Sequence, residues 1–192
     1  MVIIKDNFLD EELFNWLSTL AYNKCEEVYH MALTSSNKNA KFYTKSQSAW
    51  DISYPNLDGQ KVIPCKVLGV EFEEVYNKVV SELINNDIDV LPLDVVSFLF
   101  AKTGYYIPKH FDVRFLNTST NAFKTNAKAF IFCHNVWEDN WGGELCFDSG
   151  EYIPKPNRLL IYTVDEEHWV NKVQDIYNNR RIIFGIRFGN EL

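Results

Sequence analysis

From Asn86 onward the chain is a succession of short β-rich runs broken by turns, and this texture limits the fold more than any other feature. The runs span 90–101, 105–117, 128–136, 144–147, 158–164, 169–174 and 181–188. Turn-forming residues separate them, at Asn117-Thr-Ser-Thr-Asn121, Trp141-Gly-Gly143, Asp148-Ser-Gly150 and Pro154-Lys-Pro-Asn157. Many short strands at such spacing predict a sandwich or barrel. Helical signals come earlier. Asp10 precedes Glu11 and Glu12 and then apolar residues at helical spacing, which reads as an N-cap with an acidic first turn. Val70, Phe72, Val75, Val79, Val80, Leu83 and Ile84 mark a second helix over 68–85. Helices that precede the strands cannot be crossovers between them, so the expectation is an antiparallel β core buttressed by helices.

A chain of 192 residues fits a single domain over 1–192, with 1–89 as a helical and β support region and 90–192 as the β core. With 46% apolar and 15% aromatic residues, it can bury a substantial core. The net charge of −7 disfavours nucleic acid and anionic membranes as partners. No apolar run is long enough to cross a bilayer, and MVIIKDNF does not read as a signal peptide, so a cytoplasmic protein is expected. Cys25, Cys65, Cys133 and Cys146 form no CxxC pair and read as reduced, partly buried thiols. Oligomeric state is not legible.

Three features could carry chemistry. In a strand, His110 and Asp112 point to one side and Phe111 and Val113 to the other, so two metal-capable side chains converge. A His-x-Asp pair also arises by chance on surfaces. His168 follows Asp165-Glu-Glu167 and reads either as a solvated turn residue or as a third ligand. Two imidazoles and one carboxylate form the facial triad of non-haem Fe(II) oxygenases. A catalytic zinc with the same donors is the competing site, although the HExxH spacing of zinc hydrolases is absent. In the last strand Arg181, Ile183, Gly185 and Arg187 share one face, and Ile182, Phe184, Ile186 and Phe188 share a core face. A guanidinium suits bidentate capture of a carboxylate, and Gly185 would leave room for a small acid against the strand. The alternative is a solvated strand face bearing two arginines.

Other features read as structural. His30 is expected on a strand, and His134 at the end of an apolar strand is expected to be structural or on the rim. Phe98 with Phe100, and Phe130 with Phe132, read as core pairs, while Trp137 and Trp141 are expected to pack the Gly-Gly turn. The polar segments within 37–60 and 117–126 read either as lids beside a site or as ordinary solvated loops.

The ordered series His110-x-Asp112, Trp141-Gly-Gly-Glu-Leu-Cys-Phe147, Pro156-Asn-Arg-Leu-Leu-Ile-Tyr162, His168 and Arg181 resembles the 2-oxoglutarate/Fe(II) dioxygenase superfamily, and most of all its prolyl 4-hydroxylase-like branch. Ile3-Ile-Lys-Asp-Asn-Phe-Leu9 is similar to the first strand of such domains. The resemblance implies a double-stranded β-helix, of jelly-roll or cupin type, with N-terminal helices. It implies an oxidoreductase using Fe(II), 2-oxoglutarate and O2, with room for ascorbate, and releasing succinate and CO2. His110, Asp112 and His168 match the iron ligands, and Arg181 matches the residue for the distal carboxylate of 2-oxoglutarate, with Arg180 as the alternative and Arg187 as a second basic residue in the pocket. Tyrosines that bond the cosubstrate in relatives have no plain counterpart. One position falls at Phe100 and another at Cys133, leaving Tyr105, Tyr106 and Tyr162 as candidates by position. The implied substrate is a peptidyl (prolyl-type) side chain or a small molecule. A nucleic-acid dealkylating oxygenase, or a metal-binding β-barrel without oxygenase chemistry, are the alternatives, and the acidic charge argues against the first of them.

Overall fold

A computed structural model describes residues 1–34, 57–64, 68–88, 91–112, 115–117, 122–176 and 179–191. The expectations about Cys65, Val113 and most of the two polar segments fall outside the described residues.

Helix α1 spans Glu11–Thr34 and α2 spans Val70–Asn85. Asp10 caps α1 as expected, since its Oδ1 accepts from the Leu13 N–H at 3.0 Å and its carbonyl from the Phe14 N–H at 2.9 Å. Helix α1 continues through residue 30, so His30 lies on a helix and not on a strand. Helix α2 buries Phe72, Val75, Val79 and Leu83, the stripe that its spacing predicts.

The strands are β1 (Val2–Lys5), β2 (Leu57–Pro64), β3 (Leu91–Ala101), β4 (Ile107–His110), β5 (Phe115–Asn117), β6 (Ala122–Phe132), β7 (Leu145–Phe147), β8 (Gly150–Tyr152), β9 (Leu159–Thr163), β10 (His168–Val170) and β11 (Arg181–Glu191). The major sheet runs β1-β9-β6-β11-β3-β2, with β5 paired to β6, and the minor sheet runs β4-β10-β7-β8. All pairings are antiparallel. This is the double-stranded β-helix that the motif order implies, with its helices first in the chain.

Strand alternation divides the major sheet into two faces. On β9, Leu159 and Ile161 join a core shared with Leu13 and Leu17 of α1 and Phe72 and Val79 of α2. Their neighbours Leu160 and Tyr162 join a second core with Leu145, Phe147 and Val170 of the minor sheet. On β11, Ile182, Phe184, Ile186 and Phe188 all enter the helix-side core. The opposite face of β11 therefore looks into the space between the sheets.

Two differences from the sequence reading matter. The run 105–117 is two strands, and Asp112 lies beyond the end of β4. Gly150 opens a strand of its own, β8, where its sequence reads as a turn.

Candidate metal centre

His110 ends β4 and His168 begins β10, and the antiparallel register places them directly opposite one another. Their ring centroids are 4.4 Å apart. Asp112 completes the group, and one potential ligand atom from each of the three residues lies within 4.8 Å of the others. Cross-strand pairing, together with the chain leaving β4 after His110, thus does what simple alternation along one strand was expected to do.

Both imidazoles have a fixed tautomer. His110 Nδ1 donates to the Pro108 carbonyl at 2.9 Å, and His168 Nδ1 donates to the Glu166 carbonyl at 3.0 Å. A carbonyl can only accept, so the proton sits on Nδ1 and the Nε2 lone pair remains available for a metal. Burial lowers the pKa of His168, and nearby His110 and Lys128 add to the effect against the pull of Asp112 and the Glu166 carbonyl. The ring is thereby kept in the neutral form that ligation needs.

Asp112 is enclosed by groups from the major sheet. The Tyr162 hydroxyl donates to its Oδ2 at 2.7 Å, and Lys128 donates to its Oδ1. Oδ2 lies 3.7 Å from His168 Nε2. Burial opposes the charged carboxylate, but the Lys128 charge and the Lys128 and Tyr162 hydrogen bonds outweigh it and hold Asp112 below the usual range. Lys128 is itself buried. Desolvation and the neighbouring Arg187 pull its pKa down, while Asp112 holds it up. Tyr162, Lys128 and Arg187 form a row across β9, β6 and β11, as Lys128 pairs in register with each of the other two.

Arg181 stands at the other end of β11 and is 1% exposed. Its Nε donates to the Gly143 carbonyl at 2.9 Å, and its guanidinium lies over the Phe132 ring at 5.2 Å. Its Nη2 is buried with no hydrogen-bond partner among the described residues. Burial draws its pKa down to about 10. The Gly-Gly turn shapes this seat. Gly143 has φ +72°, and a Cβ there would lie 3.2 Å from Arg181 Cδ and 3.0 Å from Val173 Cγ2. Trp137 Nε1 donates to the Gly142 carbonyl at 3.1 Å, and Trp137 meets Trp141 edge-on at 5.4 Å, so the tryptophans do pack this turn.

The remaining predicted residues fall elsewhere. Cys133, where the resemblance puts a cosubstrate-bonding tyrosine of relatives, is fully buried in the helix-side core on the parity of Ile131, while Phe132 is the residue beside Arg181, so the thiol faces away from the cosubstrate side. Tyr106 is 43% exposed and lines an outer groove with Lys109 and Trp169, whereas Tyr105 is buried between the sheets. The space above Gly185 is taken by Phe130, whose ring would lie 3.1 Å from a Cβ at that position. Arg187 is half-buried beside Lys128 at the metal end rather than next to Arg181. His134 is structural: it accepts from the Ile182 N–H at 3.2 Å through Nδ1 and donates to the Pro154 carbonyl through Nε2.

Lys128 is absent from the sequence reading. A single lysine in Ala127-Lys-Ala-Phe-Ile-Phe132, on the parity opposite the alanines, was the signal that could have found it.

The donor set suits a divalent metal: two neutral imidazoles and an ionised carboxylate converge, and a buried guanidinium with an unused N–H lies on the same sheet face as the carboxylate's partners. A family model, the 2OG-Fe(II) oxygenase superfamily, matches residues 96–186, which include all three triad residues and Arg181. No curated protein matches the chain in sequence. Among solved structures, the viral collagen prolyl hydroxylase of Paramecium Bursaria Chlorella virus-1, in its 2OG complex, aligns at TM-score 0.65 and 16% identity, covering 98% of this chain and 95% of that one. A Pseudomonas putida prolyl-4-hydroxylase aligns at 0.61 and 16% identity, covering 98% and 92%. A Trichoplax adhaerens prolyl hydroxylase, in complex with a hypoxia inducible factor oxygen degradation domain peptide fragment, aligns at 0.60 and 16% identity, covering 98% and 83%.

Proposed function

We propose that this chain, a 2-oxoglutarate-dependent non-haem iron oxygenase by the family match over residues 96–186, hydroxylates a peptidyl side chain of prolyl type. The family fixes Fe(II), 2-oxoglutarate and O2 as the reagents. The observation that carries the assignment of residues is the pairing of a convergent His-Asp-His group with a buried arginine that has an N–H without a partner among the described residues.

In this reading His110 and His168 hold iron through Nε2, and their Nδ1–H bonds to backbone carbonyls keep each ring in the ligating tautomer. Asp112 supplies the third donor and a negative charge, steadied by Lys128 and Tyr162. Arg181 pairs with the distal carboxylate of 2-oxoglutarate, which gives its Nη2 an acceptor and its charge a counter-ion. Bound iron supplies O2 activation coupled to decarboxylation of 2-oxoglutarate, giving succinate and CO2 alongside the hydroxylated product. The protein orients the cosubstrate and excludes water with the wall of Phe130, Phe147, Leu160 and Tyr162 between the sheets.

A peptide substrate is supported by the prolyl hydroxylases that share this fold, one of them described with a peptide bound. It is also supported by the rim, where Phe111, between the two triad residues, is 57% exposed and offers an apolar contact beside the metal. The net charge of −7 disfavours a nucleic acid in that place. Among the described residues no helix is long and apolar enough to cross a membrane. We place the protein in the cytoplasm.

The test is succinate formation from 2-oxoglutarate with Fe(II) under air, with and without proline-containing peptides. Slow uncoupled turnover without peptide, increased by a proline-containing one, is the expected result. No Fe(II)-dependent succinate under any condition would sink the reading, and turnover increased only by non-peptide compounds would move the substrate class.

A further inference from the structure

Lys128 lies among apolar neighbours on β6 and is 6% exposed, yet it carries an ammonium group. Its bond to Asp112 is an ion pair between two nearly enclosed side chains. The two carboxylate oxygens are therefore not equivalent. Oδ1 belongs to Lys128, while Oδ2 accepts from Tyr162 and lies 3.7 Å from His168 Nε2. Turning Oδ1 toward the imidazoles would take it from the ammonium and leave a buried cation without its counter-ion, which is strongly unfavourable. Arg187, the next residue in the row, is a second cation and cannot replace Asp112 in that role.

We infer that Lys128 is a positioning residue that restricts Asp112 to one metal-facing oxygen and so keeps open a coordination position that a two-oxygen grip would close. The inference rests on the triad being the Fe(II) site proposed above. It has a distinctive sign. Lys128 repels a divalent metal and prevents the carboxylate from chelating it, so both effects weaken metal binding in the wild type. Removing the charge strengthens metal binding and slows the reaction, because the open position serves cosubstrate or O2. A lysine that merely supported the fold would do the opposite, since its loss would loosen Asp112 and weaken the metal.

The experiment is a Co(II) titration followed by visible absorption, on wild type, Lys128→Met and Lys128→Arg, with circular dichroism to establish folding. Lys128→Met is expected to bind Co(II) about tenfold more tightly, about 1.4 kcal/mol. Its Fe(II)-saturated succinate formation should fall at least about tenfold, a matching loss of barrier stabilisation. Lys128→Arg should return both values toward wild type. Equal or weaker Co(II) binding by folded Lys128→Met overturns the inference. A crystal structure of the wild type with Co(II) needs no variant: Lys128 on Oδ1 and Oδ2 alone on the metal is expected, and both oxygens on the metal overturn it. Wild type that takes up no Co(II) would overturn the metal site itself, a failure distinct from that of Lys128.

Discussion

On β11, Ile182, Phe184, Ile186 and Phe188 face helices α1 and α2, while Arg181, Gly185 and Arg187 face the minor sheet. The same division holds on β6, with Ala127, Ala129 and Ile131 on one face and Lys128, Phe130 and Phe132 on the other. The helix-side face is an apolar layer of interlocking rings, with Phe184 at 5.2 Å from Phe98 and edge-on to Phe72 at 6.1 Å. The inner face places Lys128 and Arg181 almost out of water, an arrangement that costs free energy; Lys128 meets Asp112, while Arg181 has the Gly143 carbonyl and the Phe132 ring. One face stabilises the fold, and the other holds charge in readiness for ligands. Substitutions on the two faces should separate these roles.

Phe184→Ala gives the largest expected effect. The ring is 1% exposed, and truncating such a side chain costs about 3–5 kcal/mol. For a domain of this size that is a fall in Tm of roughly 10 °C. Co(II) affinity of the folded protein should stay within about twofold of wild type, since the ring lies on the face away from the triad. A Tm change below a few degrees, or a loss of metal binding by folded protein, would break the division of roles.

Arg181→Met comes next and should act in the reverse way. It removes an incompletely satisfied buried guanidinium, so apo stability should change little or rise. The 2-oxoglutarate requirement should increase about 100-fold, near 2.7 kcal/mol for losing one partner of a buried charge pair. Co(II) affinity again should hold. If Arg180→Met produces that increase and Arg181→Met does not, the cosubstrate role shifts by one residue.

Gly143→Ala tests how the inner face is supported. The added Cβ meets Arg181 Cδ and Val173 Cγ2 at a residue whose φ is +72°. We expect about tenfold weaker 2-oxoglutarate binding, about 1.4 kcal/mol, with the metal site intact. Unchanged cosubstrate binding would show that the turn closes the strands without aiming the arginine.

The helix-side face was far more legible in the sequence than the inner one. Apolar periodicity on α2 and alternation on β11 determine burial directly, because hydrophobic packing depends on area and parity alone. The ordered motif also located His110, Asp112, His168 and Arg181, which the structure brings to one side of the major sheet or its facing strands. What escaped was whatever depended on cross-strand register. Lys128 reaches Asp112 from a strand 16 residues downstream, and Phe130 covers Gly185 from the neighbouring strand. Cys133, where the resemblance puts a tyrosine of relatives, lies one residue past Phe132, on the parity of Ile131 and in the helix-side core. A one-residue offset is enough to reverse a face.

The smallest effect concerns His134, which sits where the two faces meet at the start of β11. Its ring lies 4.7 Å from that of Trp137, and both its nitrogens bond to backbone groups, of Ile182 and Pro154. Those bonds require one lone pair and one N–H, so the folded protein needs the neutral ring. Burial chiefly, with the charge of Arg181 adding to it, lowers its pKa from 6.5 to about 3 despite the Pro154 and Ile182 bonds. The unfolded chain takes up a proton near pH 6.5 and the folded one does not. Its contribution to stability is therefore complete above that pH and is lost progressively as pH falls toward 3. Between pH 7.5 and 5.5 the loss is about 1.4 kcal/mol. Urea unfolding at the two pH values should show it in the wild type, and His134→Gln should remove that part of the slope while lowering stability at pH 7.5. An identical slope in the variant would mean that other groups carry the acid sensitivity. In that case the seam between the stabilising face and the charged one would not be a place where acid weakens the fold.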